Sequence, residues 1–149
     1  MYLTISSANP TPLYQQIVDQ IKAKILTGEL GPGEALPSIR QLAEDLLLSV
    51  ITTKRAYERL EAEGLIVVRQ GRGAIVAQLG AEDRLRLKRA AVCESLRKAV
   101  ALGRSLGLGE MEIMGLCEEA LKEEERDGST GAGPTSAFSL PRSSNIKGL

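Results

Sequence analysis

Ser38-Ile39-Arg40-Gln41-Leu42-Ala43-Glu44-Asp45-Leu46-Leu47-Leu48-Ser49-Val50-Ile51-Thr52-Thr53-Lys54-Arg55-Ala56-Tyr57-Glu58-Arg59-Leu60 is the stretch from which the rest of the chain can be read. Ser38 offers a capping oxygen, and Gln41 follows three residues later at the spacing of a capping box. Ile39, Leu42, Ala43 and Leu46 then recur at helical intervals, as the inward face of a helix ending near Leu46. Ser49 starts another helix by the same logic. It runs to about Glu61, with Thr53, Ala56, Tyr57 and Leu60 toward the core and Val50, Ile51, Lys54, Arg55 and Glu58 mostly elsewhere on the wheel. Two short helices joined by a tight turn are therefore expected.

Downstream, Gly64 ends the second of these helices. Leu65-Ile66-Val67-Val68-Arg69 is rich in β-branched residues, Gln70-Gly71-Arg72-Gly73 is a turn, and Ala74-Ile75-Val76-Ala77 is a second short strand. Upstream, Thr4 to Thr11 reads as an extended arm bounded by Pro10 and Pro12. Pro12 suits the first turn of a helix. Leu13, Ile17, Ile21, Ile25 and Leu26 carry that helix to a C-cap at Gly28. Glu29 to Pro37, with Gly31-Pro32-Gly33 inside it, is a short stiff connector anchored by Leu30 and Leu36. Helix, helix, helix, hairpin is the order of a winged helix-turn-helix, assigned to residues 1–80.

Residues 81–127 form a second region. One helix runs from Ala81 to Gly103 with Leu85, Val92, Leu96 and Val100 at helical spacing. After a break at Gly107 and Gly109, another runs from Met111 to about Glu125 with Ile113, Leu116, Cys117, Ala120 and Leu121 on one side. Such apolar faces need cover, and two helices per chain can build a four-helix interface with a second copy. The expected dimerisation residues are Leu85, Val92, Leu96, Val100, Ile113, Leu116 and Leu121. Residues 128–149 hold Gly, Ser, Thr and Pro with Arg142 and Lys147 as the charges, and are expected to be a flexible tail. The fold class is thus mainly α with a small β-hairpin: a winged helix-turn-helix followed by a two-helix dimerisation region.

Composition narrows the chemistry. The chain has 149 residues, 43% hydrophobic, 26% charged and 3% aromatic, with zero formal net charge. It has no histidine and two cysteines, Cys93 and Cys117. Histidine triads and His/Cys zinc sites are excluded, and two separate cysteines make no disulfide scaffold, which favours a reducing cytoplasm. Both cysteines fall in apolar helical neighbourhoods, where a thiol is expected to be buried and inert. No apolar run approaches the ~18 residues of a membrane span, and the N-terminus does not read as a signal peptide. Glu118-Glu119 and Glu123-Glu124-Glu125 read as a solvated helix end rather than a catalytic pair. Gly71-Arg72-Gly73 lacks the rest of a nucleotide-binding loop. No enzyme activity, metal, cofactor or membrane contact is expected.

The candidate chemistry is DNA recognition. The second helix of a helix-turn-helix enters the major groove while the first crosses the backbone. Ser49, Thr52, Lys54 and Arg55 lie at the start of that helix, where hydroxyls and cations meet phosphates or base edges and where Val50 and Ile51 offer apolar contact to thymine methyls. Arg40 sits early in the preceding helix, within reach of the backbone or an adjacent base. Gln70, Gly71, Arg72 and Gly73 form a wing tip suited to a narrow, electronegative minor groove. A winged helix serving protein interaction without specific DNA binding is the alternative; Arg40, Lys54 and Arg72 on the same side weigh against it.

The motifs Pro12-Leu13-Tyr14-Gln15-Gln16-Ile17, Gly28-Glu29-Leu30-Gly31-Pro32-Gly33, Leu36-Pro37-Ser38-Ile39-Arg40-Gln41-Leu42-Ala43, Thr52-Thr53-Lys54-Arg55-Ala56-Tyr57-Glu58-Arg59-Leu60-Glu61, Glu63-Gly64-Leu65-Ile66 and Gly71-Arg72-Gly73 together resemble the GntR family of transcription regulators, in particular its short YtrA-like subfamily. The resemblance covers roughly residues 10–78. It implies that Arg40, the helix start at Ser49, Thr52 and Lys54, and the wing tip at Gln70, Gly71 and Arg72 contact DNA. It also implies a homodimeric repressor on a palindromic operator, commonly controlling an ABC transporter operon. An unidentified small-molecule effector would then bind at the dimer seam or between the domains. Leu47 stands where the family often has glycine, and Val50 where many members have arginine.

Overall fold

A computed structural model describes residues 1–128. Helix α1 (Leu13–Thr27) opens behind Pro12, whose carbonyl accepts the N–H groups of Gln15 and Gln16 at 2.9 and 3.0 Å. It closes at Gly28, which takes the left-handed conformation (φ 85°) that glycine adopts without steric cost. Ile17, Val18, Ile21, Ile25 and Leu26 point into the core, as their spacing predicts.

The arm before α1 is tied down by two side-chain amides. Gln16, buried, accepts the Ser6 N–H (3.0 Å) and donates to the carbonyls of Ser6 (2.9 Å) and Thr11 (2.8 Å). Gln20 both accepts from and donates to the backbone of Thr4, at 2.9 and 2.6 Å. These bonds satisfy backbone groups that no strand or helix serves, and Leu3 is buried beside them.

The connector after α1 does more than link helices. Its end, β1 (Ala35–Leu36), pairs with β3 (Gly73–Val76) in the register Ala35↔Ile75 and Leu36↔Ala74. β2 (Ile66–Arg69) pairs with the other side of β3, from Ile66↔Val76 to Arg69↔Gly73. The expected two-stranded hairpin is therefore two strands of a three-stranded antiparallel sheet in the order β1-β3-β2. β3 would otherwise leave a row of backbone groups unpaired, and a two-residue strand is too short to show a periodicity.

Between β1 and β2 lie α2 (Ile39–Leu46) and α3 (Val50–Ala62). Ser38 caps α2 by accepting the Gln41 N–H at 3.1 Å. The reciprocal half of the expected capping box is absent, because the Gln41 amide bonds Asp45 instead (2.8 Å). Ser49 caps α3 through the Thr52 N–H, again at 3.1 Å. Thr53, Ala56, Tyr57 and Leu60 are the buried residues of α3, the set its spacing predicts. Ala56, Tyr57 and Leu60 meet residues of α1 and α2 and Leu65, Ile66, Ala74 and Val76 in one core.

Two compact units are distinguished along the chain: residues 1–96, and a second beginning at Arg97. The first takes in the start of α4 (Ala81–Ser105), where Leu87 packs on the core. In the second, the end of α4 and α5 (Glu110–Asp127) meet at a close approach: a Cβ added to buried Gly103 would lie 2.9 Å from the Ile113 side chain. Glu112 accepts the N–H of Gly109 at 2.8 Å where α5 begins. The flexible tail expected at 128–149 lies outside the described residues except for Gly128, whose N–H closes α5 onto the Glu124 carbonyl. Cys93 and Cys117 are exposed, contrary to the buried, inert placement that their apolar neighbours suggested. Helical spacing identifies an apolar face but not whether the same chain covers it, and α5 has no buried residue.

Candidate nucleic-acid interface

The turn between α2 and α3 determines how α3 is presented. Leu47 adopts φ 54°, the one positive φ at a non-glycine position among the described residues. Its N–H bonds the α2 carbonyls of Ala43 and Glu44, and Leu48 N–H returns to Ala43 at 2.9 Å. The left-handed turn that glycine would make easily is thus made by leucine. The strain, ~1–2 kcal/mol for an L-residue, is held by packing on both sides: Leu42 and Ala43 before the turn, Thr53 and Ala56 after it.

Tyr57 fixes α3 against the start of α2. Its ring is in the core and its hydroxyl donates to the Pro37 carbonyl at 2.7 Å. Burial holds the hydroxyl's ionisation well above the usual tyrosine range. A second tie comes from Glu61, whose carboxylate accepts the Val68 N–H on β2 at 3.0 Å. The wing and α3 are thereby joined outside the core as well as through it.

The wing tip is a tight turn in which Arg72 N–H bonds the Arg69 carbonyl at 3.0 Å and Gly71 takes φ 74°. That dihedral at the third turn position calls for glycine. Between the tip and the start of α2 lies an open cleft of about 260 Å³, lined by Ser38, Ile39, Arg40, Tyr57, Val68, Arg69, Gln70, Gly71, Gly73 and Ala74. It brings Arg40 together with Gln70, Gly71 and Gly73, residues that are 30 or more positions apart in sequence. Arg72 stands exposed at the tip, outside the lining.

Other candidate residues are already engaged. Ser49 and Thr52 hydrogen-bond each other through their hydroxyls at 2.8 Å. Lys54 forms an exposed ion pair with Glu58 at 3.6 Å, of the weak i,i+4 kind that a phosphate can displace. The Arg55 guanidinium carbon sits 4.0 Å from the Tyr14 ring centroid, a cation–π contact onto α1. Tyr14 stands in the sequence as a motif residue, and nothing in the local pattern couples positions so far apart. Arg69 is a cleft residue that the sequence does not single out. Its place as the last paired residue of β2 was the available signal, since it puts the side chain next to the turn.

Of the dimerisation candidates, Leu85, Val92, Leu96, Leu116 and Leu121 are exposed. Val100 and Ile113 are partly buried, Ile113 against Gly103 of its own chain. Among the described residues no cluster of His, Cys, Asp or Glu could hold a metal ion, and no helix is long and apolar enough to cross a membrane.

The profile of the bacterial regulatory proteins of the gntR family matches residues 13–76, which run from α1 through β3. The HTH-type transcriptional repressor YtrA of Bacillus subtilis (strain 168) is 33% identical over 98 residues, which make up 66% of this chain and 75% of that protein. The chain belongs to the GntR family. YtrA from Sulfolobus acidocaldarius, described as a GntR-family transcription factor, is 33% identical with a TM-score of 0.52 over 81% of this chain and 97% of that one. A GntR family transcriptional regulator from Listeria monocytogenes is 26% identical and reaches a TM-score of 0.60 over 74% and 96%. This GntR-family protein is therefore a YtrA-like transcription regulator with a winged helix-turn-helix fold, in a family of regulators rather than enzymes.

Proposed function

We propose that this GntR-family protein is a sequence-specific repressor that binds a palindromic duplex operator as a homodimer. The observation that carries the reading is the shared cleft, which sets Arg40 at the start of α2 beside Arg69, Gln70 and Gly71 of the wing. With α3 in the major groove, Arg40 meets the backbone or a neighbouring base, Ser49, Thr52 and Lys54 face the groove edge, and Arg72 enters the flanking minor groove. The zero net charge is no obstacle, because the cations that matter are local. The name repressor, borne by the B. subtilis relative, favours repression over activation.

The dimer is supported by apolar surface. Leu85, Val92, Leu96, Leu102, Leu116 and Leu121 of α4 and α5 all lie open to solvent in the single chain. That many exposed large apolar side chains on two helices is unusual for a monomer. The same two helices from a second copy would cover them, and two-fold symmetry then matches a palindromic site. Residues 1–80 serve as the DNA-binding domain and residues 81–127 as the dimerisation domain. The regulator controls an ABC transporter operon in the cytoplasm, with an unidentified small molecule as its effector.

A retardation assay across candidate upstream regions tests the reading. One region should be retained well above random duplex, and Arg72→Ala should weaken binding and reduce the salt slope by about one. Equal retention of all duplexes would reject it. Leu96→Glu with Leu116→Glu should sediment at one chain mass and lose tight operator binding, whereas a wild-type protein sedimenting as a monomer would reject the dimer.

A further inference from the structure

The outward side of α3 is basic at its edges and apolar at its start. The buried set Thr53, Ala56, Tyr57 and Leu60 defines the inward direction. On a wheel of roughly 100° per residue, Ile51 falls about 170° from that direction, on the same ridge as Arg55 one turn later. Ile51 is 80% exposed and Val50 47% exposed. A single exposed isoleucine means little by itself. Here the polar groups around it are already partnered: Ser49 and Thr52 bond each other, Lys54 pairs with Glu58, and Arg55 stacks on Tyr14.

We propose that the first turn of α3 reads the 5-methyl group of a thymine in the major groove, with Ile51 as the contacting residue and Val50 beside it. This deepens the operator-binding reading and rests on it. The occupant follows from charge and shape. Arg40 and Arg69 line the cleft between α2 and the wing and Arg72 is exposed at the wing tip, cations that suit a polyanion, while Ile51, 80% exposed at the helix start, is a branched hydrocarbon that cannot accept or donate a hydrogen bond. Within a DNA major groove the matching apolar feature is the thymine methyl, which is also the group that separates T·A from the other pairs by contact rather than by hydrogen bonding. Ile51 is thereby a specificity-determining residue, and the half-site carries thymine where it docks.

The test begins by selecting binding sites from a random duplex pool with the full chain. Each thymine of the selected half-site is then replaced by deoxyuridine, which removes the methyl and keeps the pairing edge. One position should cost about fourfold in affinity per methyl removed. Ile51→Ala should lose a similar factor on the thymine duplex and nothing further on the uridine duplex. Because Ile51 is exposed, the variant should keep the wild-type melting temperature; if it does not, the uridine series on wild-type protein decides alone. Uridine tolerated at every position, or an Ile51→Ala penalty equal on both duplexes, overturns the inference and leaves operator binding standing. A pool that yields no preferred sequence overturns operator binding and the inference with it.

Discussion

Helices α1 and α5 have similar lengths, 15 and 18 residues, and both carry apolar side chains at helical intervals. α1 buries Ile17, Val18, Ile21, Ile25 and Leu26, whereas α5 buries none of its residues and leaves Met114, Leu116 and Leu121 open. Periodicity is the same kind of statement in both: a face exists that should leave water. What differs is the location of the cover. For α1 it lies in α3 and the shared core of the same chain; for α5 the proposed cover is a second copy. An amphipathic pattern thus specifies a face to be buried without specifying the molecule that buries it.

The largest effect is expected inside the winged region, where Leu60→Ala removes a fully buried side chain at a cost of about 2–5 kcal/mol, read from a denaturant midpoint at unchanged slope. Gly103→Val should come next at about 1–3 kcal/mol, because the added carbons meet Ile113 at a contact already too close for a Cβ. If that variant melts like wild type, the approach of α4 and α5 is looser than described. Leu121→Ala should leave the winged region's stability unchanged yet weaken self-association, seen as dissociation to single chains at a higher protein concentration in sedimentation. A concentration-independent melting temperature for the wild type would remove the distinction between the two regions. The smallest change is a gain. Leu47→Gly relieves the left-handed strain and, with Leu47 91% exposed, gives up no core contact; a stabilisation of about 1 kcal/mol or less is expected by thermal unfolding.

A pH effect accompanies the Tyr57 bond. The buried hydroxyl ionises above its ordinary value of 10.0, so the folded state favours the neutral phenol. Its contribution is full below that value and is lost as pH rises through the folded ionisation. Tyr57→Phe should therefore flatten the alkaline loss of stability, measured by denaturant titration across that range.

Much of the winged region was legible because its signals are local. Ser38 and Ser49 mark caps, Gly28 and Gly64 mark ends, and the inward residues of α3 follow from spacing alone. β1 was not legible, since two residues cannot display an alternation and the pairing partner lies 40 positions away. At the candidate interface the residue types were readable but their engagements were not. The stacking of Arg55 on Tyr14, the cleft that joins Arg40 to the wing, and the Glu61–Val68 bond all depend on tertiary placement. Cys93 and Cys117 are exposed where their apolar neighbours suggest burial, for the reason that separates α5 from α1.

The Glu61–Val68 bond also bears on how the protein behaves at high concentration. A three-stranded sheet has two open sides, and a side with free donors invites a strand from another molecule. β1 offers only two residues for such pairing. β2 is longer and shows Val67 and Val68 to solvent, which would make it the better template for aggregation. There the Val68 donor is already taken, and the group that takes it brings a negative charge to the margin. A wandering strand would have to displace a carboxylate to begin pairing, so the bond that steadies the wing also helps keep the protein in solution.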